Sequence, residues 1–314
     1  SKIILNNVEI QGDSFLSPRF RAISIMFQEG RLIETLNVSE NLKFAEEKSK
    51  IKKINSQSVN KDFIVNNLNL KDKLLKFPDS LSVGEKQLAS LARTLLISSE
   101  FIILDEPTSS LDLKHKTKVL GFLKIFNKKY NIPILLISHS VEEISQISDE
   151  ILLIDKGNLV SSGNVPEIMI KQEYKNFFGK FESGTILEGK VISKDAKFKI
   201  TKIKIEDEIL ILPGLFKKIG EQIRVRVRAR DVMVSKKLFH SNDFENIFEG
   251  FVVDISLEKD TAFAEILIQI GKKNHHQYLR ARLTRYHLEA MKLKPNHKIF
   301  AYLKAVTFDR QAII

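Results

Sequence analysis

LSVGEKQLASLARTLLISSEFIILDEPTSSLD, residues 81–112, decides how the rest of this chain is read. It opens on a small polar turn, Leu81-Ser82-Val83-Gly84-Glu85. Apolar residues then fall at Leu88, Leu91, Ala92, Leu95 and Leu96, the i, i+3, i+4, i+7, i+8 spacing of one buried helix face. Ser82-x-x-Glu85 has the form of a capping box and marks where that helix starts. An apolar run, Phe101-Ile102-Ile103-Leu104, follows as a buried strand. It ends on two adjacent carboxylates, Asp105 and Glu106, and Pro107 stops it.

Carboxylates delivered by a buried strand are costly unless they are paired or bind a cation. The C-terminal ends of strands in open α/β sheets are also where ligands bind. The chemistry suggests a division of labour. Asp105 is suited to hold Mg²⁺ as a hard oxygen ligand, directly or through water. Glu106 is suited to polarise an attacking water. Taken alone, the dipeptide fits a solvated turn equally well, so its neighbours decide.

Those neighbours resemble the signature motif, Walker B strand and D-loop of the ATP-binding-cassette (ABC) ATPases. Leu81–Glu85 stands where that family has LSGGQ, with Val83 for a glycine and Glu85 for the glutamine. Phe101–Asp105 with Glu106 resembles Walker B, and Ser110-Leu111-Asp112 the D-loop. The resemblance implies that Ser82, the Gly84 backbone, Glu85 and Asp112 serve nucleotide. The turn at Ser82 would contact the γ-phosphate of ATP held by the opposite subunit. A helix N-terminus, with free N–H groups and a positive dipole end, suits that task.

Upstream, a strand at Ile23–Phe27 ends on Gln28-Glu29-Gly30-Arg31-Leu32, which resembles the Q-loop and implies that Gln28 reaches Mg²⁺ and the attacking water. Residues 36–80 read as a helical subdomain that opens on the capping box Asn37-Val38-Ser39-Glu40. The lysine-rich piece at 46–60 reads as an exposed loop. Downstream, a helix capped by Asp112 runs to about Asn127, and a strand at Ile134–Ser138 leads to His139. Ser140-Val141-Glu142-Glu143 then opens another helix. His139 matches the family's H-switch, which implies contact with the γ-phosphate and the water. Either imidazole nitrogen can donate a hydrogen bond, which suits that role. Ile151–Asp155, a turn at Lys156-Gly157-Asn158 and Leu159-Val160 read as a hairpin, and a helix over 165–178 leads out. Alternating strands and helices predict a mostly parallel sheet.

One family element has no counterpart. The phosphate loop, G-x-x-x-x-G-K-[ST], cradles the nucleotide phosphates, and no such segment occurs in residues 1–314. The chain also begins with Ser. The expectation is an N-terminally incomplete sequence, inactive by itself in hydrolysis; the alternative is a product that has lost nucleotide binding.

Length and composition agree with this reading. A chain of 314 residues suggests two domains, and 43% hydrophobic residues suffice for ordinary cores. There is no cysteine, so no disulfide or thiolate metal site exists. No apolar run approaches the roughly 18 residues needed to span a bilayer, and no signal peptide is visible. The net charge of +11 invites a nucleic-acid hypothesis. The lysines are scattered, however, with no interleaved aromatic residues, and the expectation is a solvated basic surface and no nucleic-acid partner.

After about residue 181 short alternating strands replace helices: Ile186–Val191, Phe198–Ile205, Ile209–Leu212 and Ile223–Val227, punctuated by Pro213-Gly214 and Gly220. Arg224, Arg226, Arg228 and Arg230 alternate, which predicts four guanidiniums on one strand face, either paired with acids or contacting an anion or subunit. Residues 244–308, with strands at Asn246–Ile255, Ala262–Ile270, Tyr278–Leu283 and Ile299–Phe308, resemble the Mop/TOBE domain of molybdate importer ATPases.

The fold class expected is therefore α/β: an ABC ATPase domain at 1–180, lacking its phosphate loop and with a helical subdomain at about 36–95, followed by a mainly β, OB-like region at 181–314. The resemblance implies an ATPase subunit of a molybdate or tungstate importer, with ATP and Mg²⁺ as cofactors. Asp105 and Gln28 would serve Mg²⁺, Glu106 would be the general base, and His139 would sense the γ-phosphate. The implied partners are a second copy, a membrane permease and, indirectly, an oxyanion-binding protein, with molybdate at the C-terminal domain. The implied place is the cytoplasmic face of the bacterial inner membrane, held peripherally. Two rivals are the ATPase of a sulfate, iron or sugar importer and a non-catalytic oxyanion-binding module.

Overall fold

The computed structural model describes residues 2–51, 59–97, 99–171, 173–174, 177, 183–239, 245–272, 275–305 and 308. They form two compact units, Ser1–His139 and Ser140–Ile314.

The first unit opens with an antiparallel pair, β1 (Ile3–Leu5) and β2 (Val8–Gln11), joined through Asn6 and Asn7 at positive φ. Then come β3 (Ile23–Met26), α1 (Val38–Ile51), α2 (Lys61–Asn67), α3 (Val83–Leu96), β4 (Phe101–Asp105), α4 (Leu113–Tyr130) and β5 (Ile134–Ile137). β3, β4 and β5 make a parallel sheet in the order β3-β4-β5, with Met26 beside Leu104 and Asp105 beside Ile137. β4 therefore lies between two strands, and its C-terminal acids emerge at the middle of the sheet's end.

Both predicted capping boxes of this unit form. Asn37 accepts from Glu40 N–H, and the Glu40 carboxylate accepts from Asn37 N–H. Ser82 and Glu85 reciprocate in the same way at the start of α3. Each cap is worth about 0.5–2 kcal/mol. In α3, Leu91, Ala92, Leu95 and Leu96 are buried as predicted. Each leucine contributes about 1.5–3 kcal/mol by leaving water. Leu88, expected on that face, is only half-buried, and Gln87 lies inside instead. α1 continues to Ile51, so the first part of the loop expected at 46–60 is helical. Residues 52–58 of that loop lie outside the described residues. α4 ends at Asn131 in the left-handed region (φ 53°), a stop that asparagine tolerates.

The second unit starts with α5 (Val141–Ile147), the hairpin β6 (Glu150–Asp155) and β7 (Asn158–Asn164), and α6 (Val165–Ile170). The helix expected over 165–178 thus stops at Ile170; residues 172, 175–176 and 178 lie outside the described residues. Next are β8 (Gly184–Asp195), β9 (Ile200–Ile205), β10 (Glu208–Pro213), β11 (Gln222–Arg228), β12 (Met233–Ser235), β13 (Asn246–Leu257), β14 (Phe263–Lys272), β15 (His275–Thr284), α7 (Arg285–Ala290) and β16 (Lys298–Leu303). They form a four-stranded sheet, β10-β9-β8-β11, and a five-stranded sheet, β12-β16-β13-β14-β15, with antiparallel neighbours throughout. One apolar core is shared by both sheets and includes Leu187, Ile203, Val225, Phe248, Ile268 and Leu279. Asn246 joins them, accepting from Ile211 N–H at 2.6 Å and donating to Ile211 O at 3.2 Å. The last strand, expected to reach Phe308, ends at Leu303; residues 306 and 307 lie outside the described residues.

The arginine stripe resolves into ion pairs. Arg226 and Arg228 both reach Glu142 Oε1, at 3.2 and 3.1 Å. Arg224 pairs with Glu188 at 2.7 Å and donates to Ser148 O at 2.9 Å. Arg230 is not on the strand face. It sits in the 3₁₀ turn Ala229–Asp231, because β11 ends at Arg228.

Candidate functional site

Glu106 is the centre of the first unit's polar cluster. It is the residue after β4, and its backbone lies in the left-handed region, φ 45°. That conformation costs a non-glycine residue about 1–3 kcal/mol. Its peptide groups are held from both sides: Glu106 N–H donates to Ile137 O at 3.0 Å, and Gln87 Nε2 donates to Glu106 O at 2.9 Å. Its carboxylate turns to meet two of the residues singled out from the sequence. Gln28 Nε2 donates to Oε2 at 2.9 Å, and His139 Nδ1 lies 2.7 Å from Oε1. His139 is 83% exposed and the Glu106 side chain 22%, so the trio is open on the histidine side.

Gln28, Glu106 and His139 come from the ends of β3, β4 and β5, residues 78 and 33 positions apart in sequence from Glu106. The parallel register alone brings them together. Asp105, adjacent and half-buried, ends β4 itself. Among the described residues no group of three or more acidic, histidine or cysteine side chains forms a metal cage. A carboxylate and an amide oxygen are a donor set that suits Mg²⁺, which keeps several waters and takes one or two carboxylates together with substrate phosphates. Gln28 gives its N–H to Glu106, so its amide oxygen is the atom it can offer to a cation.

The second predicted group sits at the start of α3. Ser82 Oγ accepts from Glu85 N–H at 3.3 Å, and Glu85 Oε2 accepts from Ser82 N–H at 2.9 Å. Lys73 Nζ adds an ion pair to Glu85 at 3.0 Å. The Ser82 N–H, and after it Lys73, hold the Glu85 carboxyl below its ordinary range. Glu85 is thus engaged in capping the turn. Gly84 is a close approach: a Cβ there would stand 3.2 Å from Leu111 Cδ2 and 3.3 Å from Ser110 O. The turn therefore packs directly on Ser110-Leu111. Asp112 caps α4. His115 N–H donates to its Oδ1 at 3.1 Å and His115 Nδ1 lies 2.6 Å from Oδ2, and these contacts hold its carboxyl low.

The residue that periodicity missed is Gln87. It is 2% exposed and joins the two groups. The only hint in the sequence is a polar amide one position before an apolar face, a pattern that many surface residues share.

The family model for the ABC transporter domain matches residues 2–109, and that for the TOBE domain matches residues 243–307. The molybdenum import ATP-binding protein ModC of Saccharophagus degradans is 32% identical over 296 residues, covering 93% of this chain and 79% of that protein. The protein of the same name from Yersinia pestis bv. Antiqua is 30% identical over 313 residues, covering 99% and 84%. Among solved structures, a post-hydrolysis ATP-binding cassette dimer bound to ADP and Pi is 21% identical, with a TM-score of 0.43 over 52% of this chain and 73% of that one.

Proposed function

The chain belongs to the ABC transporter ATP-binding proteins, in the family of the molybdenum import ATP-binding proteins, and from that premise we propose that it hydrolyses ATP to power molybdate import. The observation that carries the reading is the Glu106 carboxylate at the end of a parallel strand, with one oxygen on Gln28 and the other on His139.

In this reading Glu106 takes the proton of the attacking water as general base. Gln28 and His139 fix its two oxygens, so the carboxylate needs little reorientation when water arrives. The exposed imidazole of His139 contacts the γ-phosphate. Asp105 and Gln28 Oε1 would hold Mg²⁺, which would supply charge neutralisation at the phosphates. The Ser82 turn, with Gly84 behind it and Asp112 closing the D-loop, offers a helix N-terminus to nucleotide on a second copy. Glu85 supports that turn through its cap. We assign the ATPase domain to residues 1–180 and the β-rich regulatory region to 181–314, with oxyanion as the candidate ligand of the latter. The partners are a second copy and a membrane permease. No helix among the described residues is long and apolar enough to cross a membrane. In this reading the permease holds the subunit at the cytoplasmic face.

The test is ATP-dependent molybdate uptake by the full-length protein assembled with its permease in proteoliposomes. Uptake that requires ATP, is competed by tungstate, and is lost with Glu106→Gln is expected. Uptake of sulfate in preference to molybdate would refute the cargo, and uptake unaffected by Glu106→Gln would refute the catalytic assignment.

A further inference from the structure

Gln87 is a fully satisfied buried amide, and all three of its hydrogen bonds go to Glu106 and the loop after it. Its Nε2 donates to Glu106 O at 2.9 Å and to Ser109 Oγ at 3.0 Å, while its Oε1 accepts from Ser110 N–H at 3.0 Å. One side chain from α3 therefore holds the backbone of the catalytic carboxylate and two residues of the loop after it. The Q-loop turn packs on the same residue. Gly30, at φ 55°, leaves room for a Cβ only 3.6 Å from Gln87 Cα and 3.7 Å from Gln87 N. Gln87 is thus the point where the loop after Gln28, the end of β4 and the D-loop meet the helix that carries the Ser82 turn.

The backbone of Glu106 explains why such an anchor is needed. A glutamate at positive φ relaxes toward the ordinary regions unless its surroundings over-determine it. Its N–H is fixed by Ile137 O on β5, and its C=O accepts from Gln87 on α3 at 2.9 Å and from Ser109 N–H at 3.2 Å. Ser109 belongs to the same loop and is itself held by Gln87 through its hydroxyl. Without Gln87, the N–H bond to β5 and the local Ser109 turn remain, but this side chain no longer ties the carbonyl and the loop after it to α3.

We propose that Gln87 is a positioning residue for hydrolysis: it locks the left-handed Glu106 peptide and the Ser109-Ser110 loop to α3, so that movement of the Ser82 turn and aim of the general base are mechanically one event. The proposal rests on the reading of Glu106 as general base. It acts through Glu106 and touches neither nucleotide nor water.

The test uses the full-length protein in its assembled transporter. Gln87→Met keeps the volume and removes all three hydrogen bonds. Gln87→Glu keeps the acceptor for Ser110 N–H and places a carboxylate oxygen against Glu106 O. Ser109→Ala removes one partner only. A misplacement of the base by about 1 Å costs on the order of 10²-fold in rate, so both Gln87 variants are expected to lower kcat by about that factor with KM for ATP within about 3-fold. Ser109→Ala is expected to lower kcat by less than about 5-fold. Gln87→Met added to Glu106→Gln is expected to change residual turnover by less than about 2-fold, because groups that act as a unit are non-additive. A kcat within 2-fold of wild type in Gln87→Met, KM rising in step with the loss, or an additive effect in the double variant would overturn the proposal. If Gln87→Met does not fold, Gln87→Glu decides by the same criteria. Normal turnover in Glu106→Gln alone would instead remove the base assignment on which the proposal rests.

Discussion

Replacing Glu106 by Gln separates chemistry from structure at this site. The change is isosteric and neutralises the carboxylate. In the wild type one oxygen accepts from Gln28 Nε2 at 2.9 Å, and the other lies 2.7 Å from His139 Nδ1. The introduced amide can keep both contacts in one arrangement. Its oxygen continues to accept from Gln28, and its NH₂ donates to His139 Nδ1, which then requires the tautomer protonated on Nε2. Each bond changes from charge-assisted to neutral, a loss of about 1–1.5 kcal/mol apiece. With His139 83% exposed, solvent screening reduces the sum to roughly 1 kcal/mol. For a unit of this size that is about 4 °C in Tm. Removing a general base costs about 10²–10⁴-fold in turnover, or roughly 3–5 kcal/mol of barrier. The kinetic effect therefore exceeds the structural one several-fold. The assay is single-turnover and steady-state ATPase of the full-length protein, alongside thermal unfolding and nucleotide-driven dimerisation by light scattering. The expected result is turnover lost, dimerisation retained and Tm shifted by a few degrees. Near-normal ATPase would refute the reasoning about the base. A fall of more than about 10 °C in Tm would refute the reasoning about the hydrogen-bond exchange.

Three further outcomes follow from packing and charge. Gly84→Ala pushes a Cβ to 3.2 Å from Leu111 and 3.3 Å from Ser110 O, so the D-loop must shift by a few tenths of an ångström; overpacking of this kind costs about 1–2 kcal/mol, readable as a lower urea midpoint. Glu208 has its pKa raised above the ordinary 4.5, first by burial and then by the nearby Glu249 charge. The folded state therefore holds that proton more tightly than the unfolded one, and stability falls as pH rises from about 4.5 through the raised value. Glu208→Gln is expected to raise Tm at pH 7, with a benefit that disappears below about pH 4; an unchanged or larger benefit at low pH would contradict the sign. Glu265 and Arg280, 1% and 3% exposed, pair at 3.2 Å. Replacing Glu265 alone by Leu removes a buried carboxylate partner of the Arg280 guanidinium, which also donates to Ile170 O, and costs about 3–5 kcal/mol, whereas the double change Glu265→Leu with Arg280→Met recovers most of it in denaturant unfolding.

Much of the first unit could be read along the chain because its signals are local. The apolar period of α3, the capping pairs Asn37–Glu40 and Ser82–Glu85, and the strand that stops on Asp105-Glu106-Pro107 each depend on residues within one or two turns of one another. Their resemblance to ABC ATPase motifs points to the family and singles out Gln28, Glu106 and His139, which the fold brings into contact. The arginine stripe shows the limit. Alternation placed Arg224, Arg226 and Arg228 on a strand, but only the fold brings two of them to Glu142, more than eighty residues away.

By itself, then, the sequence determined the helix α3 and its cap, the strand that ends on Asp105-Glu106, and which carboxylates and amides stand at strand ends. Tertiary structure decided that Gln28 and His139 each take one oxygen of Glu106, that Glu106 adopts a left-handed backbone, and that Gln87 leaves the helix surface to hold it. The physical reason is range. Hydrophobic period and capping act over a few residues, whereas a hydrogen bond between strand ends 78 residues apart exists only once the parallel register is set.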